Sequence, residues 1–279
     1  MTKHSFDLIG LSTSDKPSLS VMIPRKWIFT MVIIAALVWS YHDAGVNPGH
    51  LADGLGSAWQ YVIGSSDLPQ SGFFPPNTSK LGIYMAEMIL TIKMAIWGTV
   101  LSVPFALALA FLGARTVSGS GVIYWLSRRA MDVLRSLNEL VVALVFVAAV
   151  GLGPFSGVMA LAVSGIGSLG KLLSEAIEGI DMGQVEAVKS TGATPLAVIL
   201  RGFVPQILPG FVSFVLYRFE ANVRAATVLG VVGAGGIGYS LQESMRVFDN
   251  RSVSSILLLI VFTVVLIDNL SAIIRRRIA

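Results

Sequence analysis

Cysteine is absent from the 279-residue sequence, which excludes a disulfide framework, a thiolate metal site and a cysteine nucleophile. Histidine is scarce. His4, His42 and His50 all lie near the N-terminus, outside any ligand-like spacing, so no nucleophile–histidine–acid set is available. No Walker-type glycine loop with its Lys-Ser/Thr occurs, and the chain lacks the P-loop route to ATP. An intrinsic enzyme activity is therefore unsupported. Charge is also scarce, at 13% of residues against 54% hydrophobic, a balance far from that of a soluble domain. The formal charge of +4 does not mark a nucleic-acid binder, because the charged residues flank long apolar runs as topology signals do.

What is present is a series of such runs. A polar tail, residues 1–26, precedes the apolar stretch 27–41. The stretch is short enough to suggest a cleaved signal peptide, but no small-x-small site follows it. Trp27, Trp39 and Tyr41 bracket it like interfacial anchors, which favours a retained first span. Residues 42–80 form a Gly/Pro/Ser-rich connection whose Ser71–Ser79 segment, SGFFPPNTS, has turn chemistry throughout. Further spans are expected over 84–112, 131–150, 156–178, 207–232 and 253–274, since about 20 apolar residues suffice to cross a bilayer. The fourth is rich in small residues, which lets helices approach closely and predicts a buried position. Residues 233–252 read as a glycine-rich re-entry, and residues 275–279 as a basic C-terminal end.

The distribution of basic residues orients these spans. Twelve Lys/Arg fall in the N-terminal tail, 113–130, 178–205 and the C-terminus, against three (Lys80, Arg246, Arg251) on the other side. By the positive-inside rule the first group is cytoplasmic and residues 42–80 are periplasmic.

Within the cytoplasmic group, residues 182–205 stand apart. Met182, Val185 and Val188 recur at helical spacing, Ser190-Thr191-Gly192 breaks the helix, and Gly192 suits a left-handed C-terminal position. Thr194 followed by Pro195 restarts it, as an N-cap with proline at the first helical position. Two short helices joined by a glycine corner make a docking device. A DNA-binding helix-turn-helix would need a basic face to neutralise phosphates, and only Lys189 and Arg201 are available.

Two other constellations invite chemistry. Gly233, Gly235, Gly236 and Gly238 formally match GxGxxG, but the strand, helix and acidic ribose ligand of a dinucleotide site are missing. The better reading is irregular backbone facing protein or a water-filled path. Ionisable and polar residues also lie in or near the spans: Asn138, Glu139, Arg218, Glu220, Asn222 and Arg224, with Arg135, Glu87 and Lys93 nearby. Glu220 and Arg224 are four apart in the favourable order for a helical ion pair, and Arg135 and Glu139 are four apart in the reverse order. Such residues either line a route for a hydrophilic, anionic solute or lock helices together. No helical partner is evident for Asn222.

The docking stretch resembles the cytoplasmic coupling motif of bacterial ABC-importer permeases. Glu186, Ala187, Gly192 and Val204-Pro205 match it, while Val188 and Gly202 depart from the usual alanine and isoleucine. The runs Leu216–Gly238, Ser136–Val158 and Lys171–Asp181 further resemble phosphonate-type permeases of that family, and the likeness covers most of residues 81–274. It implies an all-α integral membrane protein with six transmembrane helices of the type I importer architecture, and a coupling helix carrying Glu186, Ala187, Gly192, Thr194, Pro195 and Pro205. It also implies a second permease copy, two cytoplasmic ATPase subunits that hold ATP and Mg, and a periplasmic binding protein for a phosphorus oxyanion. Residence in the bacterial inner membrane with both termini cytoplasmic follows from the same likeness. An ion-gradient-driven secondary transporter is the rival class, predicting inverted repeats that are not evident here. A non-transporting membrane scaffold is a third.

Overall fold

A computed structural model describes residues 19–43, positions 49, 54–56, 59 and 62–64, and residues 72–278; of these, side chains are described from Trp27 onward except at positions 42, 43 and 278. The N-terminal tail before residue 19 and much of the connection 42–80 lie outside the described residues. Among those described the chain is all helix and turn. Two compact units divide it, Met1–Ala58 and Trp59–Ala279.

The first unit contains α1, Leu19–Asp43, and the apolar stretch Trp27–Tyr41 falls inside it. The second unit contains α2 (Leu81–Leu112), α3 (Gly121–Ser136), α4 (Glu139–Val150), α5 (Pro154–Glu178), α6 (Met182–Ser190), α7 (Pro195–Val198), α8 (Val204–Leu229), α9 (Ile237–Arg246) and α10 (Asn250–Ile278). A π turn, Ile199–Phe203, joins α7 to α8. The helices α2, α5 and α10, and the run Pro195–Val232 that contains α8, are each long and apolar enough to cross a membrane. A fifth crossing exists if α3 and α4 together count as one.

That last pair corrects the expected span 131–150. The helix stops at Ser136, and α4 leaves at 87° to α3. Leu137 and Asn138 are extended, and the Asn138 carboxamide oxygen accepts a hydrogen bond from Leu140 N at 2.9 Å, so the asparagine caps α4. The expected re-entry over 233–252 is also revised. It is irregular at its start and again at 247–249, where Phe248 has φ of +58°, and α9 lies between.

The centre of the unit is α5, which packs against α2, α3, α4 and α8. Its small residues make this possible: a Cβ on Gly165 would lie 2.7 Å from Ser102 Cβ, and one on Gly167 2.5 Å from Arg135 N. Larger side chains there would force the helices apart, and in lipid such close packing replaces the hydrophobic drive. At one end of α5, Glu178 gathers the neighbouring elements. Its Oε2 lies 2.7 Å from Arg128 Nη2, its Oε1 accepts from Arg115 N at 2.8 Å, and Arg128 Nε donates to Gly113 O at 3.0 Å. Glu178→Ala strands a half-buried guanidinium and an amide, and should lower stability by about 1–3 kcal/mol. Thermal unfolding of the detergent-purified chain checks this; a melting temperature equal to wild type would refute it. At the other end the segment after Pro76 is tied to α10, with Asn77 N donating to Arg251 O at 3.2 Å and Ser255 Oγ donating to Asn77 O at 2.8 Å.

Candidate functional site

The docking segment folds from local signals. Asp181 caps α6, its Oδ1 accepting from Gly183 N at 2.9 Å. The helix ends at Ser190, and Gly192 turns the chain with φ of +75°. Thr194 Oγ1 then accepts from Ala197 N at 3.4 Å, with Pro195 opening α7. One face is buried: Val185, Val198 and Phe203 join a cluster with Ala106 and Ala110 of α2 and Leu169, Leu173 and Ile177 of α5. Glu186, Ala187, Gly192, Thr194, Pro195 and Pro205 are all exposed on the rest of the surface. A rigid knob thus projects from the bundle, seated through its apolar face. The sequence reading missed the clamp at its base. Gln206 accepts from Asp181 N at 2.9 Å and donates from Nε2 to Gly202 O at 2.8 Å, closing the ends of the segment on each other. The two residues of this clamp are 25 apart, and nothing in the sequence paired them.

The ionisable residues form a polar layer, but with other partners than their spacing predicts. Arg135 and Glu139 are separated by the helix break. Glu139 Oε1 instead lies 2.8 Å from Arg218 Nη2 and accepts from Ser164 Oγ at 3.0 Å. Arg218 also donates to Ser164 Oγ at 3.1 Å, and its side chain is only 8% exposed. The pair Glu220–Arg224 is likewise not made. Arg275 Nη2 sits 2.9 Å from Glu220 Oε1, too poorly aligned for a hydrogen bond but close enough for an ion pair. Arg224 Nη1 reaches both Asp268 oxygens, at 3.0 and 3.2 Å. Helical geometry explains the sorting. Residues 218 and 222 share the face toward α2, α4 and α5, while 220 and 224 share the one toward α10. Asn222 has a partner after all: its Nδ2 donates to Thr99 Oγ1 at 2.8 Å, and its Oδ1 is buried without a hydrogen bond among the described residues. Asn138, Glu139 and Arg218 therefore meet at the α3–α4 break, whereas Glu220 and Arg224 brace α10.

The glycine run lies against the other turn of the unit. Gly233, Gly235 and Gly236 have φ of +91°, +79° and +77°. Gly153 N donates to Gly233 O at 3.0 Å, and Thr91 Oγ1 accepts from Ile237 N at 2.9 Å. Gly238 is buried where its backbone meets Gly230. No strand accompanies this run among the described residues, so it lacks the setting of a dinucleotide fingerprint.

Comparisons with known proteins agree with this architecture. Residues 102–279 match the family model of the binding-protein-dependent transport system inner membrane component. The chain is 41% identical over 202 residues to the phosphite transport system permease protein PtxC of Stutzerimonas stutzeri, covering 72% of this chain and 74% of that protein. It is 34% identical over 247 residues to the putative phosphite transport system permease protein HtxC of the same organism, covering 88% and 85%. Among solved structures, an inward-facing form of the MetNI methionine ABC transporter superposes with a TM-score of 0.65 at 20% identity, over 73% of this chain and 99% of that one. With helical spans, a projecting knob between them and this family match, the chain belongs to the binding-protein-dependent inner membrane components, the permease subunits of ABC importers.

Proposed function

We propose that the chain is the membrane-spanning subunit of an ATP-driven importer for a phosphonate or a related phosphorus oxyanion such as phosphite, hypophosphite or phosphate. The observation that carries this reading is the knob at 182–205, an exposed surface held rigidly by a buried apolar face and a clamped base. A secondary transporter has no use for such a lever. The solute class is supported by the phosphite permeases to which the chain is similar. Glu186, Ala187, Gly192, Thr194, Pro195 and Pro205 present the surface that an ATPase subunit grips. The chain has no ATP site of its own, so ATP and Mg belong to that partner, two ATPase copies serving two permeases. A periplasmic binding protein delivers the solute across the bacterial inner membrane, and both termini lie in the cytoplasm. Asn138, Glu139, Arg218 and Asn222 line or support the solute path. Glu220 and Arg224 set the angle of α10, and the turn through Gly233, Gly235, Gly236 and Gly238 shapes the path wall.

The test is uptake in a host lacking its own phosphorus-oxyanion importers, with this chain expressed beside its candidate ATPase and binding protein. ATP-dependent accumulation of methylphosphonate, phosphite, hypophosphite or phosphate is the expected result and names the solute. Uptake driven by an ion gradient without the ATPase would overturn the reading.

A further inference from the structure

The break between α3 and α4 opens a cavity of about 380 Å³, lined by Arg135, Leu137, Asn138, Glu139, Ser164 and Ser168 and closed on one side by apolar residues of α8. That volume falls within the range of small-ligand sites, about 300–1,000 Å³. The charge of its wall is not what a count of lining residues suggests. Glu139 is the carboxylate present, and it is already neutralised from behind by Arg218 at 2.8 Å and held by Ser164 at 3.0 Å. Among the described residues Arg135 makes no ion pair, and Asp132, whose carboxylate its charge helps to hold ionised, is bonded elsewhere. Asp132, the only acid of α3, is shared by Lys171 at 2.9 Å and Arg129 at 3.5 Å. Asn138 spends its Oδ1 on the α4 cap, leaving the Nδ2 donors of the same carboxamide for a ligand. The break also points the N-terminal end of α4 at this space, whose helix dipole favours negative charge. The cavity is therefore cationic, with one directed neutral donor beside the charge.

We infer that this cavity is a transit site for a tetrahedral oxyanion. Arg135 supplies the charge and Asn138 the directed hydrogen bond. Arg218 is a positioning residue that keeps Glu139 neutralised in the wall and so prevents it from repelling the solute. The assignment rests on the reading of the chain as an anion importer, and it adds Arg135, which the pairing expected from sequence had tied to Glu139.

The absence of native cysteine allows a direct test on the full chain in complex with its ATPase subunits in proteoliposomes. A single reporter is placed by Ser168→Cys, with Leu137→Cys as a second position should the first fail to assemble. The rates of thiol modification by an anionic and a cationic methanethiosulfonate are then compared. Field focusing in a cationic cleft should favour the anionic reagent by about tenfold. Arg135→Gln should erase the preference, and millimolar phosphite or methylphosphonate should slow the modification where choline chloride does not. Equal rates, a cationic preference, a ratio unchanged by Arg135→Gln, or no protection by either oxyanion would each overturn the assignment. Wild-type phosphite uptake alongside such a result would leave the importer reading intact. A preference with protection but without ATP-dependent uptake would instead keep the cavity and sink the importer reading.

Discussion

Gly192→Val is expected to abolish coupled solute uptake while the chain still inserts and folds. Gly192 has φ of +75°, and a Cβ built on it meets nothing within 4 Å. The cost of a side chain is thus purely conformational. A β-branched residue in the left-handed region is strained by about 1–3 kcal/mol, enough to shift the corner toward a different path. The buried residues on either side, Val185 and Val198, hold the two short helices to the bundle, so the strain is released at the exposed tip. A reshaped tip presents Glu186 and Thr194 in the wrong relation to the ATPase. Gly192→Asn separates this account from mere crowding, because asparagine visits the left-handed region routinely. ATP-dependent uptake should survive in the asparagine variant and fall by about a hundredfold or more in the valine variant, as geometric misplacement of a coupled device allows. Wild-type uptake by Gly192→Val, in membranes containing normal amounts of the chain, would refute the coupling role.

The second large effect is on folding. Gly238→Val should leave little correctly assembled chain. A Cβ on Gly238 would sit against the Thr227 carbonyl oxygen and the Gly230 Cα, and one on Gly230 would lie 2.6 Å from Gly238 Cα. These are backbone atoms, so no side chain can swing aside. Overpacking of side chains alone costs about 1–3 kcal/mol; here α9 must separate from the end of α8. That separation would also withdraw Ile237, fully buried in a cluster with Tyr84, Met88 and Val223. Protease resistance and monodispersity of the purified variant provide the measurement. A variant as resistant and monodisperse as wild type would show that this crossing tolerates a side chain. An asparagine at Gly192 and a valine at Gly238 thus probe opposite causes, one of dihedral preference and one of space.

The residues differ in how far their surroundings could be read in advance. The corner at Gly192 and the cap at Thr194-Pro195 depend on neighbours within four residues, and the structure has both. Four long apolar helices were likewise legible, since twenty apolar residues suffice whatever surrounds them. The α3–α4 break was hidden in a stretch, 131–150, long enough to read as one span, although Asn138 followed by Glu139 carried the signature of a helix start. Its 87° turn needed α5, whose Gly167 admits the backbone of Arg135, and Arg218, which draws Glu139 away from α3. The ion pairs were misassigned for a related reason. A spacing of four gives a permissible pair of modest strength, about 0.2–0.5 kcal/mol in an isolated helix. Asp268 and Arg275, both on α10, are the partners that the helix faces bring within reach: Arg224 meets both Asp268 oxygens, and Arg275 meets the nearly buried Glu220.

By itself the sequence determined that this is a membrane protein of helices, that a capped and cornered segment interrupts its spans, and that it has neither thiol chemistry nor an ATP loop. These follow from hydropathy, capping and composition, which are local and additive along the chain. Only the tertiary structure decided where a span breaks, which charges neutralise each other, and which arginine is left facing a cavity. Those depend on which helix faces meet, and a buried charge takes whichever partner lies closest in space.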